Sequence, residues 1–309
     1  MCIVIGKYFD DFGWVGVKNR DRNYIPEISF RKKHHNGIEI LYFWDDITQY
    51  CEGMNSQGIA VLSASLMVLD DEKEITQRKK TPSRDGAKIK AALAHNNIKT
   101  VIQSLIKNRL TGNTLIFDQE NMYLLEGAWQ HLAARKNFRY KLEKIDPDNN
   151  VVRTNHGVLL PWAGYQRSDD RAETISRVSS ESRRLLAHRV ADRAQDPEDI
   201  IDGLTLNFTD NPQLNTLRTT HDKKKMRTTS QILIIPRERT MYVRPVQSHM
   251  HFNFWELNRP EQRTWVEILS NRVLYMNLKD QNPGNDPPFD HSLNHDTETT
   301  SSSRIHQSS

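Results

Sequence analysis

A cysteine stands directly behind the first methionine of the chain, and a cysteine in this position can do chemistry by itself. Initiator methionine is normally removed when the next residue is small, so we expect Cys2 to carry both a thiol and a free α-amino group. An α-amine has a pKa near about 7.7–8.0 in model compounds, so much of it can be an unprotonated base around neutral pH. Such a base can take the proton of the adjacent thiol, directly or through one water. The sequence therefore predicts Cys2 as a nucleophile that carries its own general base.

A dense group of charged residues follows at a distance that a hairpin would bring back to the N-terminus. Residues 3–8 and 12–18 are β-rich runs separated by a short polar turn, which is the pattern of a β-hairpin. The segment KNRDR at 18–22 follows the second run, so pairing of the two strands would lay it beside Cys2. Without that pairing, the same charges would form a solvated turn.

The residue types in this segment suit a reactive thiol. Lys18 or Arg20 would favour the thiolate and so lower the pKa of the Cys2 thiol. Asp21 would accept a hydrogen bond from the α-amine and fix its orientation. These roles depend on the register of the predicted hairpin.

Histidines offer two alternative kinds of site. His156, next to Asn155, would permit a papain-like Cys–His pair, but such an enzyme does not need its cysteine at the N-terminus, and the papain-type cysteine signature is absent. We therefore expect His156 to be a packed or pocket-lining residue. His249 and His251 would lie on one face of a strand, but no third ligand is evident, so we expect no metal and no cofactor.

The elements that must position these residues come in blocks of strands and blocks of helices. Apolar residues at helical spacing between 83 and 110 indicate two helices, with Asn96 or Asn97 as a cap and Gly112 as an end. The other expected elements are strands at 37–44 and 58–66, a hairpin at 113–128, a strand leading into 151–157, helices at 170–193 and 197–206, and strands at 228–236, 240–246 and 250–257. This grouping favours an α+β fold in which antiparallel sheets carry helices on their outer faces.

Seven segments, in this order along the chain, resemble one enzyme family. They are MC at the N-terminus, KNRD at 18–21, EGMNSQGIAVLSASL at 52–66, NTLIFDQENMYLLEG ending near Glu126, RTNHG at 153–157, SSESRR at 179–184, and TTSQILIIPRERTMYV at 228–243. Together they resemble the choloylglycine hydrolase and penicillin acylase group of N-terminal nucleophile hydrolases, with the related acyl-coenzyme A:6-aminopenicillanic acid acyltransferases. The resemblance covers residues 1 to about 245.

The resemblance implies a fold and a set of roles. The fold is a four-layered αββα sandwich with two antiparallel sheets, over a domain at 1–279. Cys2 is implied as the nucleophile, Asp21 as the residue that holds it, and Asn155 as the side-chain amide that donates to the oxyanion. Arg183 matches a later arginine of the family that helps to stabilise the transition state.

The chain departs from the family pattern at three positions. Lys18 stands where the family usually has arginine, and it keeps the charge but not the planar bidentate contact of a guanidinium. Arg20 stands where an aromatic residue is common and would take over part of that role. Ser65 replaces the oxyanion asparagine of the bile-salt branch, so a backbone N–H near Ser65 would serve instead. These departures argue against bile salts or penicillins as the substrate.

The composition indicates the class of protein, its location and its partners. The chain has 309 residues, 37% of them hydrophobic and 27% charged, with no apolar run long enough for a membrane span, so we expect a cytoplasmic protein with no membrane partner. Cys2 and Cys51 are the only cysteines, which excludes a disulfide framework. The net charge is +4, and the basic run at 221–227 is expected to be a solvated loop, so nucleic acid is not expected as a partner. The polar segment at 280–309 is expected to be disordered.

The resemblance thus implies a hydrolase of linear, non-peptide amide bonds, with a small N-acyl amide as substrate and an acyl-thioester on Cys2 as intermediate. An acyltransferase on the same scaffold and a non-catalytic ligand-binding or interaction protein remain as alternatives. The substrate itself carries no readable signal, because the loops expected to select it, near 22–36, 67–82 and 129–148, show no motif. The sequence leaves a homo-oligomeric assembly open.

Overall fold

The computed structural model describes residues 2–24, 26–66, 85–132, 135–165, 177–219, 226–246, 251–253, 266–268 and 274–277. Its strands are β1 Cys2–Phe9, β2 Gly13–Arg22, β3 Glu27–His35, β4 Ile38–Asp45, β5 Tyr50–Asn55, β6 Ala60–Ala64, β7 Gly112–Phe117, β8 Met122–Leu132, β9 Arg135–Ile145, β10 Val151–Arg153, β11 Arg227–Ile235, β12 Thr240–Pro245, β13 His251–Asn253, β14 Val266–Ile268 and β15 Leu274–Asn277. Its helices are α1 Asp85–Ala92, α2 Ile98–Lys107, α3 Arg177–Arg193 and α4 Pro197–Gly203.

The strands form two sheets. The first sheet has seven strands in the order β10-β1-β2-β11-β12-β15-β14, and the second has eight in the order β13-β3-β4-β5-β6-β7-β8-β9. Neighbouring strands are antiparallel, as expected, except that β13 pairs with β3 in the parallel direction at the edge of the second sheet. Short connections explain the hairpins, such as β1–β2 and β7–β8, because a tight turn can join only antiparallel neighbours. Other neighbours, such as β1 with β10 and β2 with β11, come from distant parts of the chain.

The two sheets pack face to face over a shared apolar core. Val4 and Trp14 from the first sheet meet Phe30 and Leu115 from the second, and all four are fully buried. Cys2 lies in this same core. The nucleophile predicted from the sequence therefore stands at the end of β1, between the sheets.

Helices cover the two outer faces. Helices α1 and α2 pack on the second sheet, where Ile89 and Leu105 are fully buried. Helices α3 and α4 pack on the first sheet through residues that include Ala187 and Ile200. The order of layers is helix, sheet, sheet, helix, which confirms the predicted α+β fold and its four-layered αββα arrangement.

Local sequence explains where two of the helices begin. Asn97 caps α2, because its side chain accepts a hydrogen bond from the backbone N–H of Thr100. Asp196 and Asp199 form a capping box at the start of α4, where Pro197 occupies the first turn. The sequence predicted Asn96 or Asn97 as the cap, of which the structure shows Asn97, but it placed the end of α2 too late. The helix ends at Lys107, and Gly112 instead begins β7.

The N-terminal hairpin has the register that the site requires. Strands β1 and β2 pair antiparallel along the whole of β1, with Cys2 opposite Arg20 and Val4 opposite Lys18. Residues opposite each other point to the same face of a sheet, so Lys18 and Arg20 face the inter-sheet core together with Cys2. The charged segment does not follow the strand as predicted but belongs to it, since β2 continues to Arg22.

Two segments that were expected to be substrate loops are largely strands. Strand β3 occupies most of 22–36, and β9 occupies most of 129–148. Basic residues fill the second half of β3, and β9 is an edge strand on which Tyr140 remains 46% exposed. Both strands lack a continuous apolar pattern, because neither is buried along its whole length.

Other expectations fall outside the described residues. These are the segment at 67–82, the start of the helix predicted at 170–193, most of the basic run at 221–227, His249, both ends of the strand predicted at 250–257, and the tail at 280–309. Across the described part of the chain, no helix is long and apolar enough to cross a membrane.

Candidate active site

Cys2 is buried beside positive charge. The residue is only 4% exposed, and its Sγ lies 3.5 Å from Nη1 of Arg22. Burial raises the pKa of the Cys2 thiol, but the nearby Lys18 and Arg22 cations and the N-terminal ammonium lower it by more, to about 6. A thiol with this pKa is mostly thiolate at neutral pH, and the thiolate is the nucleophilic form.

Lys18 is fully buried and held by acceptors from the second sheet. Its Nζ forms an ion pair with the Glu52 carboxylate, also fully buried, and donates to the backbone oxygen of Ser63 at 2.6 Å. The ammonium also lies over the ring of Tyr50, 5.2 Å from the ring centroid. These contacts fix the Lys18 charge close to Cys2, where it favours the thiolate.

Arg20 and Arg22 share one carboxylate. Nη2 of Arg20 lies 2.9 Å from Oδ2 of Asp45, and Nε of Arg22 lies 3.6 Å from the same oxygen. Arg20 also lies 3.7 Å from Glu52 and stacks over the ring of Phe43. Arg20 is thus in the buried charge cluster of the site, but it contacts the carboxylates, whereas Arg22 contacts the thiol.

Asp21 points to the opposite face of β2, toward helix α3. Its carboxylate lies 2.7 Å from Nη2 of Arg183 and 3.7 Å from Nη1 of Arg218, and it accepts a hydrogen bond from the Thr228 hydroxyl at 2.9 Å. All these side chains are buried. The structure therefore brings Asp21 and Arg183 together, as one ion pair next to the N-terminal end of β1.

Arg183 is the arginine of the segment at 179–184 that faces the sheet. Its Nε and Nη2 also donate to the backbone oxygens of Asn215 and Thr216, at 2.9 Å and 3.0 Å. Arg184, by contrast, is partly exposed and lies 4.0 Å from Glu181 on the same helix. Helical spacing explains the difference, because neighbouring residues on a helix point in different directions.

Asn155 contacts Cys2 directly. Its Oδ1 accepts a hydrogen bond from the backbone nitrogen of Cys2 at 2.6 Å, and its Nδ2 donates to the backbone oxygen of Ser65 at 2.5 Å. Ser65 follows the end of β6, so the Asn155 side chain joins the N-terminus of the first sheet to the second sheet. An Nδ2 group carries two hydrogens, and Ser65 takes one of them.

The segment around Asn155 is held in place by polar side chains from the second sheet and from α3. Ser180 accepts from the backbone N–H of Asn155 at 3.1 Å, and Asn113 donates to the backbone oxygens of Thr154 and His156. These bonds are buried and use backbone groups that would otherwise be unpaired. They define the position of the Asn155 amide relative to Cys2.

Glu126 organises the turn that follows. Its carboxylate accepts hydrogen bonds from the backbone N–H groups of Val158, Leu159 and Leu160, at 3.0, 3.1 and 2.6 Å. Glu126 is fully buried in β8. A single carboxylate thereby fixes three consecutive backbone groups, directly after the segment that carries Asn155 and His156.

His156 is packed rather than positioned for Cys–His catalysis. Its Nδ1 is hydrogen-bonded to the Ser180 hydroxyl at 2.9 Å and to the Thr154 hydroxyl at 3.1 Å. Burial, together with the Arg177, Arg184 and Arg153 cations, lowers its pKa to about 4. His156 is therefore neutral at physiological pH. No group of histidine, cysteine and carboxylate side chains able to hold a metal ion occurs among the described residues.

Four residues of the site had no predicted role: Arg22, Asp45, Glu52 and Arg218. Each is a charged residue in a buried part of the fold. Asp45 and Glu52 end or interrupt apolar stretches of β4 and β5, and a carboxylate in such a position must find a cationic partner. A carboxylate within an apolar strand was therefore the sequence signal that could have identified Asp45 and Glu52 as site residues.

The chain matches no protein-family model and no curated protein sequence. The solved structures that are similar to it at low identity include three enzymes or enzyme variants. Penicillin V acylase from Agrobacterium tumefaciens is 12% identical with a TM-score of 0.45, over 79% of this chain and 83% of that one. An arginine-to-leucine variant of conjugated bile acid hydrolase from Clostridium perfringens is 14% identical with a TM-score of 0.45, over 81% and 90%.

A cysteine-to-alanine mutant of the Clostridium perfringens hydrolase is the third structure. It is 13% identical with a TM-score of 0.44, over 93% of this chain and 95% of that one. These three similarities concern the path of the backbone, at low sequence identity. The chemistry of the present site has to be inferred from its own contacts.

Proposed function

We propose that the protein hydrolyses a linear, non-peptide amide bond, with Cys2 as the nucleophile. The observation that carries this proposal is the contact set of Cys2. Its thiol lies against Arg22 near Lys18, and its backbone nitrogen is bound by Asn155. A stabilised thiolate, a base on the same residue and an amide donor at the same point are the three groups that acyl transfer needs.

The general base arises when Met1 is removed. The backbone nitrogen of Cys2 then becomes an α-amine, and Oδ1 of Asn155, which lies 2.6 Å from that nitrogen, orients it. The α-amine then takes the proton of the adjacent Cys2 thiol. The mature residue thus holds a thiolate and an ammonium group side by side.

In the first half of the reaction, the Cys2 sulfur attacks the amide carbonyl carbon and forms a C–S bond. The oxyanion accepts hydrogen bonds from Nδ2 of Asn155 and from a backbone N–H near Ser65. The C–N bond then breaks as the α-ammonium gives its proton to the leaving amine. The product is a free amine and an acyl-thioester on Cys2.

In the second half, the α-amine takes a proton from a water molecule, which attacks the thioester carbonyl. The C–S bond breaks, and the acid leaves with the thiolate restored. Lys18 stabilises that thiolate, and the Asp21–Arg183 ion pair holds the end of β2 against α3. An incoming amine or thiol in place of water would make the protein an acyltransferase.

A panel of N-acyl amides tests the function, including acyl-homoserine lactones, penicillins and bile conjugates, with product analysis by mass spectrometry. Cys2→Ser should abolish turnover of any accepted substrate, and Asn155→Ala should lower kcat by about 10²–10³-fold, the usual cost of losing one oxyanion donor. Cys51→Ser is the matched control, since Cys51 lies on the helix-facing side of β5 and should keep full activity.

The outcome of the panel decides between the alternatives. Release of the free acid identifies a hydrolase, whereas transfer to an added amine identifies an acyltransferase. Near-wild-type turnover by Cys2→Ser or by Asn155→Ala contradicts the roles proposed here. A protein that binds acyl ligands without turning over any of them would be the non-catalytic alternative.

A further inference from the structure

Three cations lie close together on the buried side of β2. Lys18 and Arg20 are fully buried, and the Arg22 side chain is only 14% exposed. The carboxylates that pair with them are Asp45 and Glu52. Three cations face two carboxylates, so a further negative charge beside them would be stabilised.

The contacts show which of the three cations has no close carboxylate partner of its own. Lys18 is paired with Glu52, and Arg20 has the closer contact with Asp45. Arg22 reaches Asp45 only at 3.6 Å, while its Nη1 is 3.5 Å from the Cys2 sulfur. The sulfur is therefore in the position where the third negative charge belongs.

We propose that Arg22 is a further catalytic residue, which holds Cys2 as its thiolate through direct contact, and that Asp45 is the positioning residue that sets Arg22 in place. The proposal rests on the proposed function for the role of Cys2 as nucleophile. The thiolate itself is measurable without any substrate.

Asp45 is built to hold an arginine firmly. Its Oδ1 accepts from the backbone N–H groups of Ile47 and Thr48, at 3.1 and 3.2 Å, so the turn after β4 fixes the carboxylate. Its Oδ2 accepts from the hydroxyl of Tyr24 at 2.7 Å as well as from Arg20. Burial raises the pKa of the Asp45 carboxyl, but the two arginines and the Tyr24 hydrogen bond lower it by more, to about 2. Asp45 is therefore charged throughout the useful pH range.

The Arg22 guanidinium is also fixed from its own strand. Its Nη1 donates to the backbone oxygen of Asp21 at 2.7 Å. With Nε directed toward Asp45 and Nη1 shared between Asp21 and the sulfur, the planar guanidinium bridges three groups. Arg22 thus supplies near Cys2 the guanidinium that the lysine at position 18 does not.

Other charged and titratable groups also act on the Cys2 thiol. Lys18 and the N-terminal ammonium lower its pKa, Asp21 raises it, and Tyr50 and Arg218 lie near enough to interact with it. Lys18 acts through space from its ion pair with Glu52, whereas Arg22 contacts the sulfur. Removing Arg22 should therefore raise the thiol pKa even though Lys18 remains.

The test is the rate at which iodoacetamide alkylates Cys2 between about pH 4.5 and 9.5, followed by mass spectrometry of the N-terminal peptide of the full-length protein. For the wild type we expect an inflection near about pH 6. In Arg22→Gln the inflection should rise by at least about one pH unit, which lowers the rate at about pH 6.5 about threefold. Arg22→Lys keeps the charge but loses the planar guanidinium, so the inflection should rise by less. Asp45→Asn should also raise it by less, because Arg22 itself remains.

Arg31→Gln is the matched control. Arg31 pairs with Asp46 through a contact of 2.5 Å on the second sheet and is partly exposed, so its loss removes an arginine–aspartate pair without touching the sulfur. Its alkylation profile should equal that of the wild type. Thermal unfolding of each variant identifies those that fold, and Arg22→Lys carries the test if Arg22→Gln does not.

A wild-type inflection near about pH 8.5, the value of an ordinary thiol, would overturn the proposal. An inflection unchanged in every Arg22 variant that folds would overturn it as well. Neither result depends on finding a substrate. Conversely, an inflection that shifts as expected supports the role of Arg22 even if the substrate panel shows no turnover, in which case the proposed function alone would fail.

Discussion

Glu52→Gln is a sharp test of the buried charge cluster. The change keeps the shape of the side chain but removes the negative charge that faces Lys18 and Arg20. Both Glu52 and Lys18 are fully buried, so the Lys18 ammonium would lose its carboxylate partner in a place where water cannot replace it. Breaking a buried ion pair in this way typically costs about 3–5 kcal/mol.

The size of this loss follows from the contacts that remain. The new amide at position 52 would still offer one oxygen to Lys18, and the backbone oxygen of Ser63 stays at 2.6 Å. We therefore expect a loss of about 3 kcal/mol, the lower end of the range. Such a loss is a large part of a total stability of roughly 5–15 kcal/mol. Urea unfolding measures it as a lower midpoint with an unchanged slope.

Two variants complete this experiment. Asp202→Asn removes the exposed pair with Arg244 and should cost less than about 1 kcal/mol, because solvent screens such pairs. Replacing both Lys18 and Glu52 by apolar residues of similar size should recover most of the stability, since the pair is removed as a whole. A Glu52→Gln protein within about 0.5 kcal/mol of the wild type would refute the reasoning.

Three further changes have expected outcomes. The pKa of His156 is lowered in the folded protein, so the unfolded chain binds a proton more readily between about pH 4 and 6.5. The contribution of neutral His156 to stability is therefore complete above about pH 6.5 and falls as the pH drops toward about 4. In an acid titration of the unfolding free energy, His156→Gln should lack this pH dependence. Glu126→Gln should lower kcat more than it raises KM, because the turn at 158–160 loses its anchor, and kinetics on an accepted substrate would show it. Asp21→Asn should destabilise the protein by about 3 kcal/mol in urea, because the buried Arg183 loses its partner, and unchanged stability would contradict this.

The fold was predictable where the sequence pattern is local. The N-terminal hairpin, the hairpin of β7 and β8 and the cap of α2 each depend on residues close together in the chain. Strands β3 and β9 escaped prediction because their exposure breaks the apolar pattern. Their place in the second sheet depends on neighbours that the pattern of the strand itself does not specify.

The sequence indicated candidate residues for the site but few of the partners that they contact. The register that brings Lys18 near Cys2 follows from one hairpin, whereas the pairing of Lys18 with Glu52 crosses from one sheet to the other. Asp21 was expected at the α-amine, and its observed partners Arg183 and Arg218 come from segments far along the chain. Sequence spacing cannot specify contacts of this kind.

The catalytic role of Cys2 is tested most directly by the intact mass of the purified protein before and after reaction with a thiol-directed acyl analogue. The proposed mechanism predicts a mass that lacks Met1 and a single stoichiometric adduct, which peptide mapping places on Cys2 and which is absent from Cys2→Ser. A protein that retains Met1 and leaves Cys2 unlabelled would contradict it.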